Sequence, residues 1–256
     1  KKITEWAAIH GYLNKVEVLT FVDGGTSVDW MITSGAKVMN LLTKGSLNHL
    51  KHQLKKSPEQ HFSEIAESIH LAVSKGLEVN VYLEDWSNGM RNSKEYVIEY
   101  LDFIQHLPIK RILLPDTLGV LIPSEVAAFI SELVQRYPKI HFDFHAHNDY
   151  DLGTANALEA VRNGAHGLHL TVNGMGERAG NAPLASVVAV LNDYQSDVQI
   201  SVCEKSLYGV SKLVETFSGF RIPANKPVVG ENVFTQTAGI HADGDKKNNL
   251  YHNDLM

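Results

Sequence analysis

The sequence is poor in cysteine and lacks long apolar runs. Cys203 is its only cysteine, so no internal disulfide can form and a reducing compartment is expected. No apolar run is long enough to cross a bilayer, and residues 1–9 lack the apolar core and cleavage site of a signal peptide. We therefore expect a cytoplasmic protein that has no membrane partner.

Basic clusters and low-complexity segments are missing as well. The formal net charge of the 256 residues is −6, and no block of lysine and arginine offsets it. Because nucleic-acid binding depends on neutralising phosphates, this balance argues against a nucleic-acid partner. The length and the hydrophobic content of 44% suit one globular domain of barrel size, or a domain with an appendage.

Short apolar runs alternate along the chain with amphipathic stretches. Six runs resemble strands, at residues 16–22, 38–42, 78–83, 111–114, 141–147 and 167–172. Helices are predicted at residues 3–13, 28–34, 47–74 with a break near Ser57, 94–106, 123–137, 152–163, 183–194 and 203–217. This alternation predicts an α/β fold whose parallel strands are joined by right-handed crossovers.

Polar residues gather directly after the predicted strands, where a barrel has its active-site rim. No glycine-rich dinucleotide fingerprint follows the first strand, which favours a TIM (β/α)8-type barrel over an open doubly wound sheet. Because the sequence supplies six βα units, a closed barrel needs about two more strands before residue 1. We therefore expect a partial catalytic barrel, its strands 3 to 8, in residues 1–194, and a small helical and loop subdomain in residues 195–256.

One predicted strand inverts the usual pattern of a half-buried strand. In residues 141–149, His141, Asp143, His145 and His147 share one face, and phenylalanine and alanine occupy the other. Unpaired polar groups on a buried face are costly, so such a cluster needs partners. Two imidazoles at a strand end, completed by oxygen ligands, suit Zn²⁺, Mn²⁺ or Mg²⁺. The alternative is a pair of core histidines that are satisfied within the protein.

Four ordered stretches together resemble the family of α-isopropylmalate, homocitrate and citramalate synthases, which is related to 3-hydroxy-3-methylglutaryl-CoA lyase. They are Leu-Pro-Asp-Thr-Leu-Gly at 114–119, Phe-His-Ala-His-Asn-Asp-Tyr-Asp-Leu-Gly at 144–153, Asn-Gly-Met-Gly-Glu-Arg-Ala-Gly-Asn-Ala at 173–182, and Thr-Ala-Gly-Ile-His-Ala-Asp-Gly at 237–244. The resemblance is closest to the isopropylmalate synthase branch. The lyase branch carries a cysteine in the glycine-rich loop after the last strand, and residues 174–181 contain none.

The resemblance implies a TIM barrel with a metal centre at its rim, followed by a small linking subdomain. His145 and His147 match the family's metal ligands, and Asn181 matches a position at or near the metal. The alternative for Asn181 is a turn asparagine. The family's first two strands, with an Arg-Asp motif that supplies a carboxylate ligand, have no counterpart in these residues. The expected cofactor is a divalent Zn, Mn or Mg ion.

The resemblance also implies catalytic and substrate-binding residues. Glu84 matches the catalytic acidic position, and His241 matches a histidine that reaches the partner subunit's active site in a homodimer. Thr117 matches a position that contacts the oxo-acid carboxylate, Asn148 adjoins the histidine pair, and Arg178 is a candidate for CoA phosphates. The structural alternatives are a solvated rim carboxylate for Glu84 and a surface loop histidine for His241. For Thr117 the alternative is a turn hydroxyl, and for Arg178 it is an ion pair.

The implied reaction is a Claisen-type condensation of acetyl-CoA with a 2-oxo acid. We expect 3-methyl-2-oxobutanoate, which would give 2-isopropylmalate in leucine biosynthesis. The alternatives are a homocitrate or citramalate synthase, a lyase-like enzyme, a metal-dependent hydrolase of the amidohydrolase type, and an inactive truncated form. Synthases of this family often carry a histidine on the fourth strand, where this sequence has Met39 and Asn40, so the identity of the oxo acid stays open.

Overall fold

The computed structural model describes residues 1–195 and 198–235 of the chain. Contacts between residues divide the chain into two compact units, one formed by Lys1–His169 and one that begins at Leu170. The expected division of the chain into a catalytic part and a linking subdomain after residue 194 stays a prediction.

The first unit contains one sheet of six parallel strands. They are β1 (Glu17–Phe21), β2 (Val38–Lys44), β3 (Glu78–Glu84), β4 (Ile112–Asp116), β5 (Phe142–Ala146) and β6 (Gly167–His169). The strands neighbour one another in chain order, from β1 to β6, with every pair parallel. A doubly wound sheet would reverse this order at a switch point, whereas a barrel keeps it. The prediction of six parallel strands of barrel type is confirmed.

Helices follow the strands, as the alternation predicts. They are α1 (Lys2–Ile9), α2 (Thr26–Ser34), α3 (Leu47–His49), α4 (Pro58–Ser74), α5 (Trp86–Asn92), α6 (Lys94–Ile104), α7 (Pro123–Arg136) and α8 (Gly153–Arg162). The break predicted near Ser57 is present, because the Ser57 hydroxyl accepts from the Gln60 N–H and the Gln60 side chain accepts from the Ser57 N–H. Helix α5 was missed because its serine, asparagines and glycine are weak helix formers.

The two faces of β5 explain its inverted pattern. Phe142 and Phe144 are buried, with Phe142 against Tyr137 at the end of α7 and Phe144 against Trp86 of α5. The opposite face carries the polar side chains, and Asp143 is satisfied there by Arg111 at 2.8 Å. The apolar face therefore packs on helices, and the polar face is the inner face of the sheet.

The second unit is built from short helices around a small apolar cluster. Up to residue 235, its described part has the α-helices α9 (Leu184–Tyr194) and α10 (Leu207–Ser218), and three-residue or four-residue 3₁₀ turns lie at Val172–Gly174, Glu204–Ser206 and Glu231–Phe234. The cluster consists of buried residues from both helices and from one later turn: Ala185, Val188, Leu207 and Val229.

The last strand, β6, was predicted to run to residue 172 but ends at His169. The chain turns there, and Asn173 takes a left-handed φ of 61°.

Among the described residues, none of the helices has both the length and the apolar character needed to cross a membrane.

Candidate active site

The carboxyl ends of neighbouring strands bring several predicted residues to one edge of the sheet. Lys44 at the end of β2 is in register with Glu84 at the end of β3. Pro115 of β4 is in register with His145 of β5, which in turn is in register with His169 of β6. Because parallel strands share one carboxyl edge, Glu84 and the histidine pair lie along the same rim of the first unit.

The histidine pair is the most distinctive feature of this rim. The ring centroids of His145 and His147 lie 5.0 Å apart, with the rings nearly perpendicular. Burial lowers the pKa of His145 to about 3, and the neighbouring His147 and His169 act in the same direction. The His145 ring is therefore neutral at pH 7, which is the form that donates a lone pair to a metal.

The residues present fit a divalent metal in part. Nδ1 of His145 is buried and has no hydrogen-bond partner among the described residues, which is costly for a core histidine. A metal at this nitrogen would remove that cost. Within residues 1–195 and 198–235, no three His, Cys, Asp or Glu side chains are grouped so that they could hold a metal ion. The pair therefore forms part of a ligand set rather than a complete one.

A series of polar contacts on the inner face of the sheet links Tyr82, His169 and Asp143 beside the histidine pair. The Tyr82 hydroxyl lies 3.1 Å from Nδ1 of His169, and Nε2 of His169 lies 3.2 Å from the Asp143 carboxylate. Although burial opposes ionisation, the hydrogen bond from His169 and the charge of Arg111 lower the pKa of Asp143. Asp143 is thus a charged anchor for His169, and His145 packs edge-on against Tyr82 at 5.8 Å.

Glu84 is held by cationic and titratable neighbours. Its carboxylate forms an ion pair with the ammonium of Lys44, and its other oxygen lies 3.9 Å from Nδ1 of His49. The Glu84 side chain is 23% exposed, whereas that of Lys44 is 8% exposed. A carboxylate that is partly exposed and fixed by a buried cation is accessible to a substrate while remaining oriented.

Thr117 and Asp85 connect two adjacent strand ends. The Thr117 hydroxyl accepts a hydrogen bond from the Asp85 N–H at 2.8 Å. Asp85 has a left-handed φ of 64°, and its buried carboxylate accepts from the Ser46 hydroxyl at 2.6 Å and from the Asn88 amide at 2.8 Å. These contacts hold the Asp85 side chain in the turn after β3, and Thr117 contributes to that turn.

Asn148 has a structural role in the turn that precedes α8. Its carbonyl oxygen accepts from the Gly153 N–H at 2.9 Å, and its amide donates to Asp151 at 3.0 Å. These contacts order the segment that follows the histidine pair. A substrate-binding role for Asn148 stays a prediction.

In the second unit, Asn181 is 8% exposed and lies in a closely packed glycine loop. Its amide donates to the Met175 carbonyl at 2.9 Å, and its own Oδ1 is buried without a hydrogen-bond partner among the described residues. A Cβ added to Gly176 would lie 2.2 Å from Nδ2 of Asn181, so only glycine fits there. Arg178 in the same loop lies 3.7 Å from Glu177. His241 falls outside the described residues.

Sequence reasoning missed His49 and Tyr82 as members of the rim, and it did not pair Lys44 with Glu84. Tyr82 lies two positions before Glu84 on the same strand, so period-two alternation could have placed both side chains on one face. The pairing of Lys44 with Glu84 joins residues 40 positions apart, and it depends on the register of two strands. No short stretch of the sequence shows which residue of β2 lies beside which residue of β3.

The sequential parallel sheet, with its polar inner face and ligand-type residues at the carboxyl edge, defines a β/α-barrel class of enzyme fold. The chain belongs to the HMGL-like family, whose pattern matches residues 16–214.

Curated relatives agree with this membership. The chain is 38% identical over 218 residues to a Methanopyrus kandleri protein assigned as an (R)-citramalate synthase, covering 85% of this chain and 42% of that protein. It is 37% identical to the homocitrate synthase of Saccharolobus solfataricus, covering 77% of this chain and 41% of that protein. It is 35% identical to an Ignicoccus hospitalis protein assigned as a 2-isopropylmalate synthase, covering 85% of this chain and 53% of that protein. The chain thus spans about half or less of the length of these relatives.

Solved structures agree with the fold. The HMG-CoA lyase of Bacillus subtilis superposes with a TM-score of 0.69 at 20% sequence identity, covering 81% of this chain and 72% of that one.

Proposed function

We propose that this chain carries the metal-binding and acid–base part of an enzyme that condenses acetyl-CoA with a 2-oxo acid. The observation that carries the proposal is the His145–His147 pair. It lies at the carboxyl end of a barrel-type strand, with His145 held neutral by burial and its Nδ1 without a hydrogen-bond partner in the part of the chain that the structure describes. Family membership and relatives assigned as three kinds of synthase support the reaction class.

His145 and His147 would hold a divalent Zn, Mn or Mg ion, and Asn181 stays a predicted ligand from the family resemblance. When bound, such an ion polarises the carbonyl of the oxo acid and stabilises the charge that develops on its oxygen. The His145 ring is already oriented, since it packs edge-on against Tyr82 and Tyr82 contacts His169. This support limits the reorganisation that ligand binding would require.

Glu84 is the candidate base for the proton of the acetyl methyl group. The ion pair with Lys44 orients the Glu84 carboxylate at the carboxyl edge of the sheet, where it could accept this proton. Carbon–carbon bond formation then joins the acetyl carbon to the oxo-acid carbonyl carbon, and the resulting oxygen anion takes up a proton. Water finally cleaves the thioester and releases the CoA thiol. His241 remains a second acid–base candidate, and Arg178 and Thr117 remain candidates for substrate contacts.

For the substrate, we propose 3-methyl-2-oxobutanoate, with 2-isopropylmalate as the product, and a homodimer with shared sites as the assembly. The support is the resemblance to the isopropylmalate synthase branch. Pyruvate and 2-oxoglutarate, the citramalate and homocitrate substrates, are the competing oxo acids. A lyase is disfavoured because the glycine loop at residues 174–181 has no cysteine, and an amidohydrolase because the histidine pair lies on β5 rather than on the first strand.

A thiol-release assay tests the reaction class. The enzyme is given acetyl-CoA with each 2-oxo acid in turn, in the presence of Zn²⁺, Mn²⁺ or Mg²⁺, and free CoA is measured. The proposal predicts CoA release that depends on the oxo acid and is fastest with 3-methyl-2-oxobutanoate. It also predicts that Glu84→Gln lowers kcat by at least about a hundredfold. Absence of oxo-acid-dependent release with every one of the three metals would overturn it.

A further inference from the structure

A histidine of the short helix α3 lies between two acidic side chains at the carboxyl edge of the sheet. Nε2 of His49 is 3.5 Å from the carboxylate of Asp85, and Nδ1 is 3.9 Å from the carboxylate of Glu84. The histidine follows β2, whereas the two acidic residues end and follow the neighbouring strand β3. The two nitrogens of one ring therefore face two different carboxylates.

Asp85 is the fixed member of this group. Its side chain is 1% exposed, and its carboxylate accepts from the Ser46 hydroxyl at 2.6 Å and from the Asn88 amide at 2.8 Å. The Ser46 hydroxyl in turn accepts from the backbone N–H of His49 at 3.1 Å, so one serine links the helix that carries the histidine to the buried acid. A buried polar network with satisfied hydrogen bonds is rigid. Asp85 therefore limits where the His49 ring can lie.

The surroundings of the His49 ring favour one tautomer. Asp85 is the nearer acidic group, and a carboxylate only accepts hydrogen bonds, so Nε2 carries the hydrogen in the neutral ring. The lone pair then lies on Nδ1, which is buried and has no hydrogen-bond partner in the described part of the chain. Such an unpaired atom is costly unless it has a function. The Glu84 oxygen faces it beyond hydrogen-bond distance, and catalytic contacts of this kind often shorten when substrate binds.

The Glu84 carboxylate has one oxygen for each of two neighbours. Oε2 pairs with the Lys44 ammonium, and Oε1 faces His49. An ammonium has three hydrogens and no lone pair, so Lys44 cannot take a proton from a protonated Glu84. A neutral imidazole has a lone pair and can take it. Of these two neighbours, His49 is therefore the one able to accept a proton.

We infer that His49 relays the proton that Glu84 removes from the acetyl methyl group, with Asp85 as the residue that orients it. The inference deepens the proposed function and rests on it for the reaction. The methyl C–H bond breaks, and its proton forms an O–H bond on Glu84. That O–H bond then breaks as an N–H bond forms at Nδ1, and the resulting imidazolium faces the Asp85 carboxylate. The proton leaves for solvent through a side chain that is 25% exposed, so Glu84 is again a base.

The proposed reaction releases a proton in each turnover. Water supplies the hydroxyl group of the new carboxylic acid and the hydrogen of the CoA thiol. The alcohol oxygen takes up one proton from solvent, which offsets the proton lost from the methyl group. The new carboxylic acid then ionises at neutral pH, so one net proton goes to solvent. A route from the base to solvent is therefore useful to this reaction, and His49 supplies one.

Kinetics of variants provide the first test. His49→Ala, His49→Gln and the control His52→Gln, at an exposed histidine three positions further on, are compared by thiol release, with circular dichroism to confirm folding. We expect kcat to fall at least about tenfold in both His49 variants, with KM for acetyl-CoA within about twofold and the control unchanged. Added imidazole should restore kcat of His49→Ala, which a merely structural role does not predict. Unchanged kcat, or a loss that imidazole does not restore, would overturn the relay.

The ring tautomer separates this inference from the proposed function. Nitrogen-15 NMR of the full chain, with His49→Gln to assign the signal, identifies which nitrogen of the neutral ring carries the hydrogen. We expect the Nε2–H form, because Asp85 accepts from that nitrogen. An Nδ1–H ring would contradict the relay, since no lone pair would then face Glu84. If no oxo acid supports thiol release, the proposed function fails, and the tautomer still decides whether Asp85 directs the free nitrogen towards Glu84.

Discussion

The ammonium of Lys44 forms an ion pair with the carboxylate of Glu84 across the ends of two neighbouring strands. Strand register places the two residues side by side, and Lys44 is almost completely buried. A buried ammonium is costly without a partner, so each residue limits where the other can lie. The candidate base is thus positioned by a residue that the sequence pattern did not single out.

Replacing this cation should destabilise the protein more than replacing a surface lysine. Lys44→Met leaves Glu84 without its cation, and we expect a loss of about 1–3 kcal/mol in the free energy of unfolding. Lys56→Met is the matched control, because its pair with Glu64 is about a third exposed and should contribute less than about 1 kcal/mol. Urea unfolding measures both losses. Equal losses for the two variants would contradict the role assigned to Lys44.

The Thr117 hydroxyl should matter for the turn after β3. Thr117→Val removes the acceptor of the Asp85 N–H, and an unsatisfied amide in this part-buried turn should cost about 1–2 kcal/mol in the free energy of unfolding. Thr117→Ser retains the hydroxyl and should stay within about 0.5 kcal/mol of the wild type. Denaturant unfolding of the two variants checks this. A serine variant as unstable as the valine variant would show that the methyl group, and not the hydroxyl, supports the turn.

His61 should make stability depend on pH. Its Nε2 accepts from the Lys44 N–H in a buried site, and burial is the main cause that lowers its pKa to about 4. The unfolded value is about 6.5, so the unfolded chain binds more protons between these two values. Stability from this group is therefore complete above about pH 6.5 and is lost as the pH falls towards 4.

The measurement for His61 is urea unfolding at pH 7 and pH 5. We expect His61→Gln, which keeps an acceptor and cannot be protonated, to reduce the loss of stability at pH 5 by about 1–2 kcal/mol relative to the wild type. The exposed His70 provides the control variant His70→Gln, which should follow the wild type. The explanation fails if His61→Gln loses as much stability as the wild type between the two pH values.

Much of the first unit could be predicted from the alternation of short apolar runs with amphipathic stretches. Each of the six strands lies where an apolar run predicts it, since core burial selects that pattern directly. The polar face of β5 was also predictable. The partners of that face were not predictable, because Asp143 pairs with Arg111, which directly precedes β4 and lies 32 positions away in sequence. Such pairings depend on register and crossover geometry, which a single sequence does not encode locally.

The candidate site shows the same limit. Side chains such as His145 and Glu84 were predictable as members of one rim because parallel strands share their carboxyl edge. The contacts that orient them come from Tyr82 and Lys44, whose types are unremarkable in isolation. In the glycine loop, the tight packing of Asn181 against Gly176 follows from backbone geometry that only the fold supplies.

The most direct measurement is the metal content of the histidine-pair variants. Equilibrium dialysis against Zn²⁺ or Mn²⁺, followed by elemental analysis, is applied to the wild type, His145→Ala, His147→Ala and the control His70→Ala, with circular dichroism to confirm folding. We expect about one ion per chain in the wild type and the control, and its loss in both pair variants. Full metal content in folded His145→Ala and His147→Ala would show that the histidine pair does not hold the metal.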